Sequence, residues 1–242
     1  MKRLPLSLRR GFTLVELLVV ISIIAILAAL LVPALAAAKK RAQIATAKMD
    51  IKNLELAISQ YESDNNRLPA VTPRQPADLT FGLAPQPGAP FSGAVVTNSD
   101  VVATLMSVPI GINAFNAKNP RQTAYFAAAK RTERPNEPGV STVDFQIRDP
   151  WGNPYIISLD LNYDGNTEDL FYRASSVSSQ GAGNLNGLNG LVDIAPAQAG
   201  NPRFALKGPV MIWSFGPDKK IDPNSKANQG VNKDNILSWA NK

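Results

Sequence analysis

The sequence contains no cysteine and no histidine. Without cysteine the chain cannot form disulfides, so an exported domain would have to be stabilised by packing or by a bound metal. The two absences also exclude Ser-His and Cys-His catalysis, and they exclude the usual zinc ligand sets. The acidic residues are scattered, and such residues are more often solvated surface than catalytic pairs. We therefore expect this protein not to be an enzyme.

Charge gives little support for nucleic-acid binding. The chain has 242 residues, 45% of them apolar, and a formal net charge of +6. This length and composition predict one or two domains with a real core. Lys2, Arg3, Arg9 and Arg10 all lie in the first ten residues, and removing them lowers the net charge from +6 to +2. No nucleic-acid partner is expected for a nearly neutral remainder.

A long apolar run begins directly after Gly11. It extends from Phe12 to Ala38 and contains a single charge, Glu16. About 20 apolar residues suffice to span a bilayer as a helix, whereas the apolar core of a secretory signal is shorter and precedes its cleavage site. A carboxylate inside such a run costs about 2.5–3.5 kcal/mol, so Glu16 needs a partner and a function. An ordinary membrane anchor fits the length but leaves Glu16 unexplained.

The residues around this glycine resemble a known processing motif. Residues 10–16, Arg-Gly-Phe-Thr-Leu-Val-Glu, are similar to the motif of prepilins and pseudopilins, the subunits of type IV pili and type II secretion systems. The resemblance implies that prepilin peptidase cuts between Gly11 and Phe12 and that the new N-terminus is methylated. It also implies self-assembly into a helical filament, with Pro33 at the position of a family proline.

The patterns together predict an α+β fold, a long N-terminal helix packed on a small antiparallel sheet domain with extended loops. We divide the chain into a leader (1–11), a long helix (12–66) with its membrane-spanning part at about 12–38, and a globular domain (67–242). Beyond Arg41 an amphipathic pattern predicts that one apolar stripe packs on the domain. The stripe consists of Ile44, Ile51, Leu54, Ile58 and Tyr61.

Within the globular domain the pattern is weaker. A loop is predicted over 69–98, a short helix over 100–106 and a mobile insertion over 174–200. Strands are predicted at 123–127, 143–147, 155–159 and 210–215, with 169–173 pairing with 155–159. Asp149 to Pro154 is predicted to form a turn.

Three C-terminal segments add a second resemblance. Residues 149–155, 213–218 and 234–239 are similar to the sheet and C-terminal loop of the major pseudopilin of type II secretion. This favours a secretion pseudopilus over a surface pilus used for adhesion, motility or DNA uptake. An enzyme or ligand-binding domain on a pilin-type anchor remains a third alternative. The resemblance implies a single-pass inner-membrane protein with a periplasmic domain, which contacts membrane lipid before assembly and then an inner-membrane assembly platform.

A first candidate calcium site lies between two predicted strands. Oxygen-bearing side chains alternate and are followed by a glycine, as in loops that wrap a hard cation. They are Asp160, Asn162, Asp164 and Asn166, with Glu168 at position nine. Position twelve is Phe171, where such loops have a bidentate glutamate. The alternative is an Asx-rich turn, because Asp, Asn and Gly are also turn residues.

A second candidate calcium site follows from the resemblance. Major pseudopilins bind calcium in the C-terminal loop, where Asp218 matches a ligand and the Phe215 carbonyl matches another. Asp222 or Asp234 would have to replace the family's acidic end. Lys219 and Lys220 lie close by, and their charges oppose cation binding.

Overall fold

The computed structural model describes residues 12–70, 77–83, 96–127, 130–181, 184–195 and 202–240. The predicted leader, including Gly11, lies outside the described residues. The chain divides into two compact units, Met1–Ala42 and Gln43–Lys242. The described part contains one long helix followed by short strands and helices. The predicted α+β class is therefore confirmed.

Helix α1 (Leu14–Asn65) is 52 residues long and continues through Pro33. It ends at Asn65, and residues 64–66 have the sequence Asp-Asn-Asn. Asn66 has a left-handed φ of 51°, and its amide donates to the Glu62 carbonyl at 2.8 Å. A left-handed residue after the last turn is a common way to end a helix, and asparagine tolerates that conformation.

The second half of α1 packs as its pattern predicts. Ile51, Leu54, Ile58 and Tyr61 are buried, and Ile44 packs against the same core while partly exposed. The opposite face stays in solvent, with Leu56 57% exposed. The apolar spacing therefore identified the face of α1 that enters the core.

In the described residues, ten short strands and two further α-helices follow α1. The strands are β1 (Leu79–Phe81), β2 (Arg131–Thr132), β3 (Gly139–Ser141), β4 (Ile147–Arg148), β5 (Ile156–Leu159), β6 (Asn166–Thr167), β7 (Val192–Asp193), β8 (Phe204–Lys207), β9 (Val210–Ser214) and β10 (Ile236–Leu237). The helices are α2 (Ser99–Leu105) and α3 (Ser175–Ser178). Three 3-10 helices span Gly111–Asn116, Leu188–Gly190 and Gly230–Asp234.

The strands form three sheets instead of one. The largest is antiparallel, with order β1-β5-β9-β10, and in its register Ile157 faces Ile212. A second sheet, β2-β3-β4, contains a parallel pair between β2 and β3. The third has the order β6-β8-β7. The predicted strands at 155–159 and 210–215 and the short helix at 100–106 are confirmed to within one or two residues.

Two predicted strands are wrong. Residues 123–127 form no strand, and the amides of Tyr125 and Phe126 both donate to the Leu105 carbonyl. Only Ile147 of the predicted strand 143–147 is in one. The Ser141 hydroxyl accepts from the amides of Val143 and Asp144 and bends the chain there. Local hydrogen bonds from a serine thus outcompeted the alternating pattern.

The predicted pairing of 169–173 with 155–159 is also wrong. The buried carboxylate of Asp169 accepts from the amides of Phe171 and Tyr172, at 2.9 and 2.8 Å, and closes a turn. Strand β5 pairs instead with β1 and β9. Two segments predicted to be irregular contain regular structure. The predicted loop 69–98 contains β1, and the predicted insertion 174–200 contains α3 and β7, a strand of the third sheet.

The β-rich part has a second, aromatic core on the other face of β9. Trp213 contacts Tyr172 and Phe215 edge to face, with ring centroids 5.1 and 5.3 Å apart. Tyr172 also contacts Trp239 at 5.2 Å. Such pairs stabilise beyond the area they bury. This cluster connects β9 to the C-terminal segment that follows β10.

Candidate functional site

The start of α1 is built around two side chains of the motif. Thr13 precedes the first helical residue, and its hydroxyl and amide both donate to Oε2 of Glu16, at 2.7 and 2.8 Å. The Glu16 amide donates back to the Thr13 hydroxyl oxygen at 3.2 Å. This reciprocal pattern is a capping box, which satisfies amides that the first helical turn leaves without partners. The two side chains therefore hold each other in place.

The capping role of Thr13 was missed in the sequence analysis. The signal was present, because Thr13 and Glu16 have the Thr-x-x-Glu spacing of a capping box before an apolar run. The resemblance drew attention to the glutamate alone. The structure adds that its carboxylate already has local partners.

The apolar side chains that follow are exposed to solvent. Leu14 is 78% exposed and Leu30 72% exposed, and the other large apolar side chains of this run are at least 45% exposed. Among the described residues, α1 is the helix long and apolar enough to cross a membrane. A contiguous apolar surface of this size marks a membrane or protein contact. The unit is thus suited to lipid or to other helices of its kind.

The loop of the first candidate calcium site is closed by its own amides. Asp160 accepts from the amides of Asp164 and Gly165, at 3.2 and 2.9 Å. Asn162 accepts from the Asp164 amide at 3.0 Å, and Asp164 accepts from the Asn166 amide at 2.8 Å. Gly165 has a φ of +85°, which favours glycine. This geometry is that of an Asx-rich turn.

Glu168 points to a different partner. Its carboxylate forms a two-pronged salt bridge with Arg203, with Oε2 3.0 Å from Nε. Its amide donates to Asp78 at 2.7 Å. Burial raises the pKa of Asp78 to about 6, and the charges of Asp160 and Asp164 add to this shift. Sequence reasoning missed Asp78, which lies 90 residues before Glu168 in the chain.

The second candidate calcium loop is closed at its base. Gly216 approaches Asp234 so closely that a Cβ on the glycine would lie 2.2 Å from the Asp234 carbonyl oxygen. Asp218 accepts from the Lys220 amide at 2.9 Å. Asp222 accepts from the Ser225 hydroxyl and the Asn224 amide, which lower its pKa in that order. Phe215, the other predicted ligand, packs its ring on Trp213.

No group of three or more acidic side chains among the described residues lies close enough to hold a metal ion. As arranged, six of the predicted ligands accept hydrogen bonds within the protein, namely Asp160, Asn162, Asp164, Glu168, Asp218 and Asp222. Calcium binding at either loop stays a prediction, as do the cleavage site and the roles of Glu16 and Pro33 in assembly.

The start of the chain matches a known family model. Residues 6–32 match the family model of the prokaryotic N-terminal methylation motif. The match includes residues 10–16, and their resemblance to the motif of prepilins and pseudopilins is confirmed. The match ends before the globular part begins.

Particular relatives fall into two groups. The chain is 48% identical over 62 residues to the type II secretion system core protein G of Pectobacterium carotovorum, which covers 26% of this chain and 40% of that protein. The same protein of Aeromonas hydrophila is 42% identical over 89 residues, covering 36% and 61%. The type IV wide pilus major component PilA4 of Thermus thermophilus is 44% identical over 78 residues, covering 32% and 57%.

The chain thus spans between 40% and 61% of the length of these three relatives. No solved structure matches the chain significantly. The likeness therefore covers only part of this chain and part of each relative.

Proposed function

We propose that this protein is a structural subunit of a type II secretion pseudopilus and assembles through α1. The observation that carries the proposal is the methylation motif leading into an exposed apolar helix whose first turn holds a glutamate. The likeness to core protein G supports secretion in particular. The likeness to filament subunits also supports a role that is structural instead of enzymatic.

The proposed assembly begins in the inner membrane, with the apolar half of α1 in lipid and the globular part in the periplasm. Prepilin peptidase cuts between Gly11 and Phe12 and frees an amine on Phe12. Glu16 of an adjacent subunit pairs with this amine as the helices come together at the assembly platform. Pairing two charges that are both poorly solvated relieves the cost of each. Pairing with the amine of its own chain is the alternative for Glu16.

Mass spectrometry of the mature N-terminus tests the first step. We expect a chain that begins at Phe12 and carries one methyl group on its amine. A mature protein that retains residues 1–11 would overturn the proposal.

Replacement of the carboxylate tests the second step. We expect Glu16→Gln to insert and fold normally but to assemble few filaments. The neutral side-chain amide of this variant cannot form an ion pair with the amine of Phe12. Glu62→Gln is the matched control, since Glu62 lies on the same helix but in the second compact unit, Gln43–Lys242. Normal filament recovery from Glu16→Gln would show that assembly does not require pairing of the Glu16 carboxylate with the Phe12 amine.

A type IV pilus subunit is the second candidate, and the likeness to PilA4 favours it. Expression in a host that lacks its own major pseudopilin separates the two. A secretion subunit restores export of the host's type II cargo. A pilus subunit forms surface filaments there and leaves export blocked.

Calcium binding can be measured directly on the full chain in detergent micelles. Binding would have to displace the internal hydrogen bonds of the loop at Asp160 or at Asp218. The prediction requires a higher melting temperature at millimolar calcium, because a ligand of the native state stabilises it. Asp160→Asn and Asp218→Asn would then identify the loop. An unchanged melting temperature together with no heat of binding rejects a strong site at either position.

A further inference from the structure

Three consecutive cations follow the apolar run of α1. This basic collar consists of Lys39, Lys40 and Arg41. All three residues are exposed, and none of them forms a salt bridge within the described part of the chain. Residues 17–49 contain no acidic side chain, and the next one along α1, that of Asp50, accepts from the Tyr155 hydroxyl at 3.0 Å. An acidic residue three or four positions away on the helix would pair with the collar, but α1 has none there.

The length of the helix sets the depth of the collar in a membrane. Residues 17–38 carry no charged side chain and lie entirely within α1. At 1.5 Å per residue this stretch is about 33 Å long, close to the hydrocarbon core of a bilayer at about 30 Å. A span by this stretch places the collar among the lipid headgroups, on the side where the chain continues into the second unit. Lysine and arginine can bury their stems in apolar surroundings and extend their charges into that layer.

The spacing of the three cations around the helix favours lipid over a protein partner. Successive residues of an α-helix are about 100° apart, so the three side chains spread over about 200° of its circumference. A folded protein would approach the helix from one side and leave part of the collar uncovered. Lipid headgroups surround a membrane helix and can contact all three cations at once.

Membrane orientation does not explain the collar. Basic residues accumulate on the cytoplasmic side of membrane helices, and the four cations of the predicted leader agree with that tendency. The collar lies at the other end of the apolar run, where the same tendency disfavours basic residues. Its charges therefore need a role other than setting orientation.

We propose that the basic collar binds the headgroups of anionic phospholipids and so holds the subunit at a fixed depth before assembly. The contact rests on the proposed function, which puts the apolar half of α1 in lipid. Each basic residue close to an anionic membrane surface adds to the attraction, and phosphate oxygens accept strong hydrogen bonds from lysine and arginine. These contacts must break when a subunit leaves the membrane, so the collar would make assembly sensitive to lipid charge.

The lipid preference can be measured on the full chain in phosphatidylcholine vesicles. Because the chain has no cysteine, Ala37→Cys provides a single attachment point for a bimane label beside the collar. Brominated lipids quench bimane on contact, so we compare quenching by brominated phosphatidylglycerol and brominated phosphatidylcholine. We expect phosphatidylglycerol to associate at least about fivefold more strongly, the factor that a single cation contributes. The preference should shrink at about 1 M salt, where charges are screened within about 3 Å.

Three sets of substitutions assign the preference to the collar. Replacement of all three collar residues by Gln should abolish it. Lys39→Arg combined with Lys40→Arg should retain it, because the charges are kept. The matched control replaces three exposed cations of the second unit by Gln, namely Lys207, Lys219 and Lys220. This control removes the same charge and should leave the preference unchanged, and an equal loss would show that net charge is its cause.

The outcomes separate this contact from the proposed function. Equal association of the two lipids, or a preference that survives loss of the collar, overturns the contact and leaves the proposed function standing, because the vesicles contain no assembly machinery. A processed chain that shows the preference but never forms filaments in cells overturns the proposed function and leaves the lipid contact in place. A label at position 37 that neither lipid quenches lies outside the bilayer, and that result overturns both.

Discussion

At the scale of single residues, buried carboxylates organise the β-rich unit. Asp149 accepts from the amides of Trp151 and Asn153 and from the Ser214 hydroxyl. Asp169 accepts from the Ser158 hydroxyl and from the Trp213 indole at 2.9 Å. Both are fully buried, and burial raises the pKa of each. Such groups fix turns and cross-links between strands that are only two to five residues long.

Asp50 allows a test of the cost of burying such a group. Its folded-state pKa is raised, so its ionised form is disfavoured in the native protein. Asp50→Asn should therefore melt at a higher temperature than the wild type at pH 7.5. The difference should shrink as the pH falls through the folded pKa and vanish near pH 4, about the pKa of an unfolded aspartate. Thermal unfolding of the full chain in detergent between pH 4 and 8 measures it.

Asp64→Asn is the control for this substitution. Asp64 lies on the same helix and also accepts from a tyrosine hydroxyl, that of Tyr125, at 3.0 Å, but the contact is exposed. A gain from Asp50→Asn that is the same at every pH would show that ionisation is not its cause.

How far the candidate site could be predicted depends on how local its interactions are. Glu16 and Thr13 are three residues apart, so their spacing contained the capping box. Asp78 reaches the loop at Asp160 only because β1 pairs with β5. The sequences of β1 and β5 contain no pattern that predicts their pairing, because the pairing depends on the tertiary arrangement.

At the scale of elements, α1 was predictable and the short strands were not. A stripe repeated over several turns of a helix outweighs any single local interaction. A strand of two or three residues has too few positions to show a period, and one serine or aspartate can redirect it. The turns at Ser141 and Asp169 did so where strands were expected.

The two faces of α1 should respond differently to the same truncation. Leu54 is fully buried and Leu56 is 57% exposed. Leu54→Ala should lower the free energy of unfolding by about 2–5 kcal/mol, because it removes buried apolar surface and leaves a cavity. Leu56→Ala should change it by less than about 0.5 kcal/mol. Denaturant unfolding followed by tryptophan fluorescence compares them, and equal losses would contradict the assigned core face.

At the scale of the whole molecule, the chain has two surfaces of opposite character. The described part of the first unit exposes an apolar helix, whereas the second unit buries its apolar residues in two clusters. The two halves of α1 therefore belong to different environments. The boundary between the units falls next to Arg41, where the sequence changes from an apolar run to an amphipathic pattern.

Membrane attachment should depend on the first half of α1 alone. Ile24→Arg should weaken membrane insertion by about 2.5–3.5 kcal/mol, the cost of an arginine at the centre of a membrane helix. Met49→Arg, which is also on an exposed face of α1, should leave insertion unchanged. Alkaline extraction of membranes distinguishes bound from released chain, and equal release of both variants would contradict the assignment.

If Glu16 pairs with a neighbouring amine as proposed, the hydrogen bonds at the start of α1 make that pairing an exchange of partners. In a single chain the Glu16 carboxylate already accepts from the hydroxyl and the amide of Thr13. A neighbouring amine can replace these two neutral donors only if it binds the carboxylate more strongly. A positively charged amine does so, because hydrogen bonds between ionised groups are stronger than those from neutral donors. An uncleaved neighbour has no amine at Phe12 and offers nothing in return. The capping box would thus act as a threshold that admits processed subunits and rejects unprocessed ones.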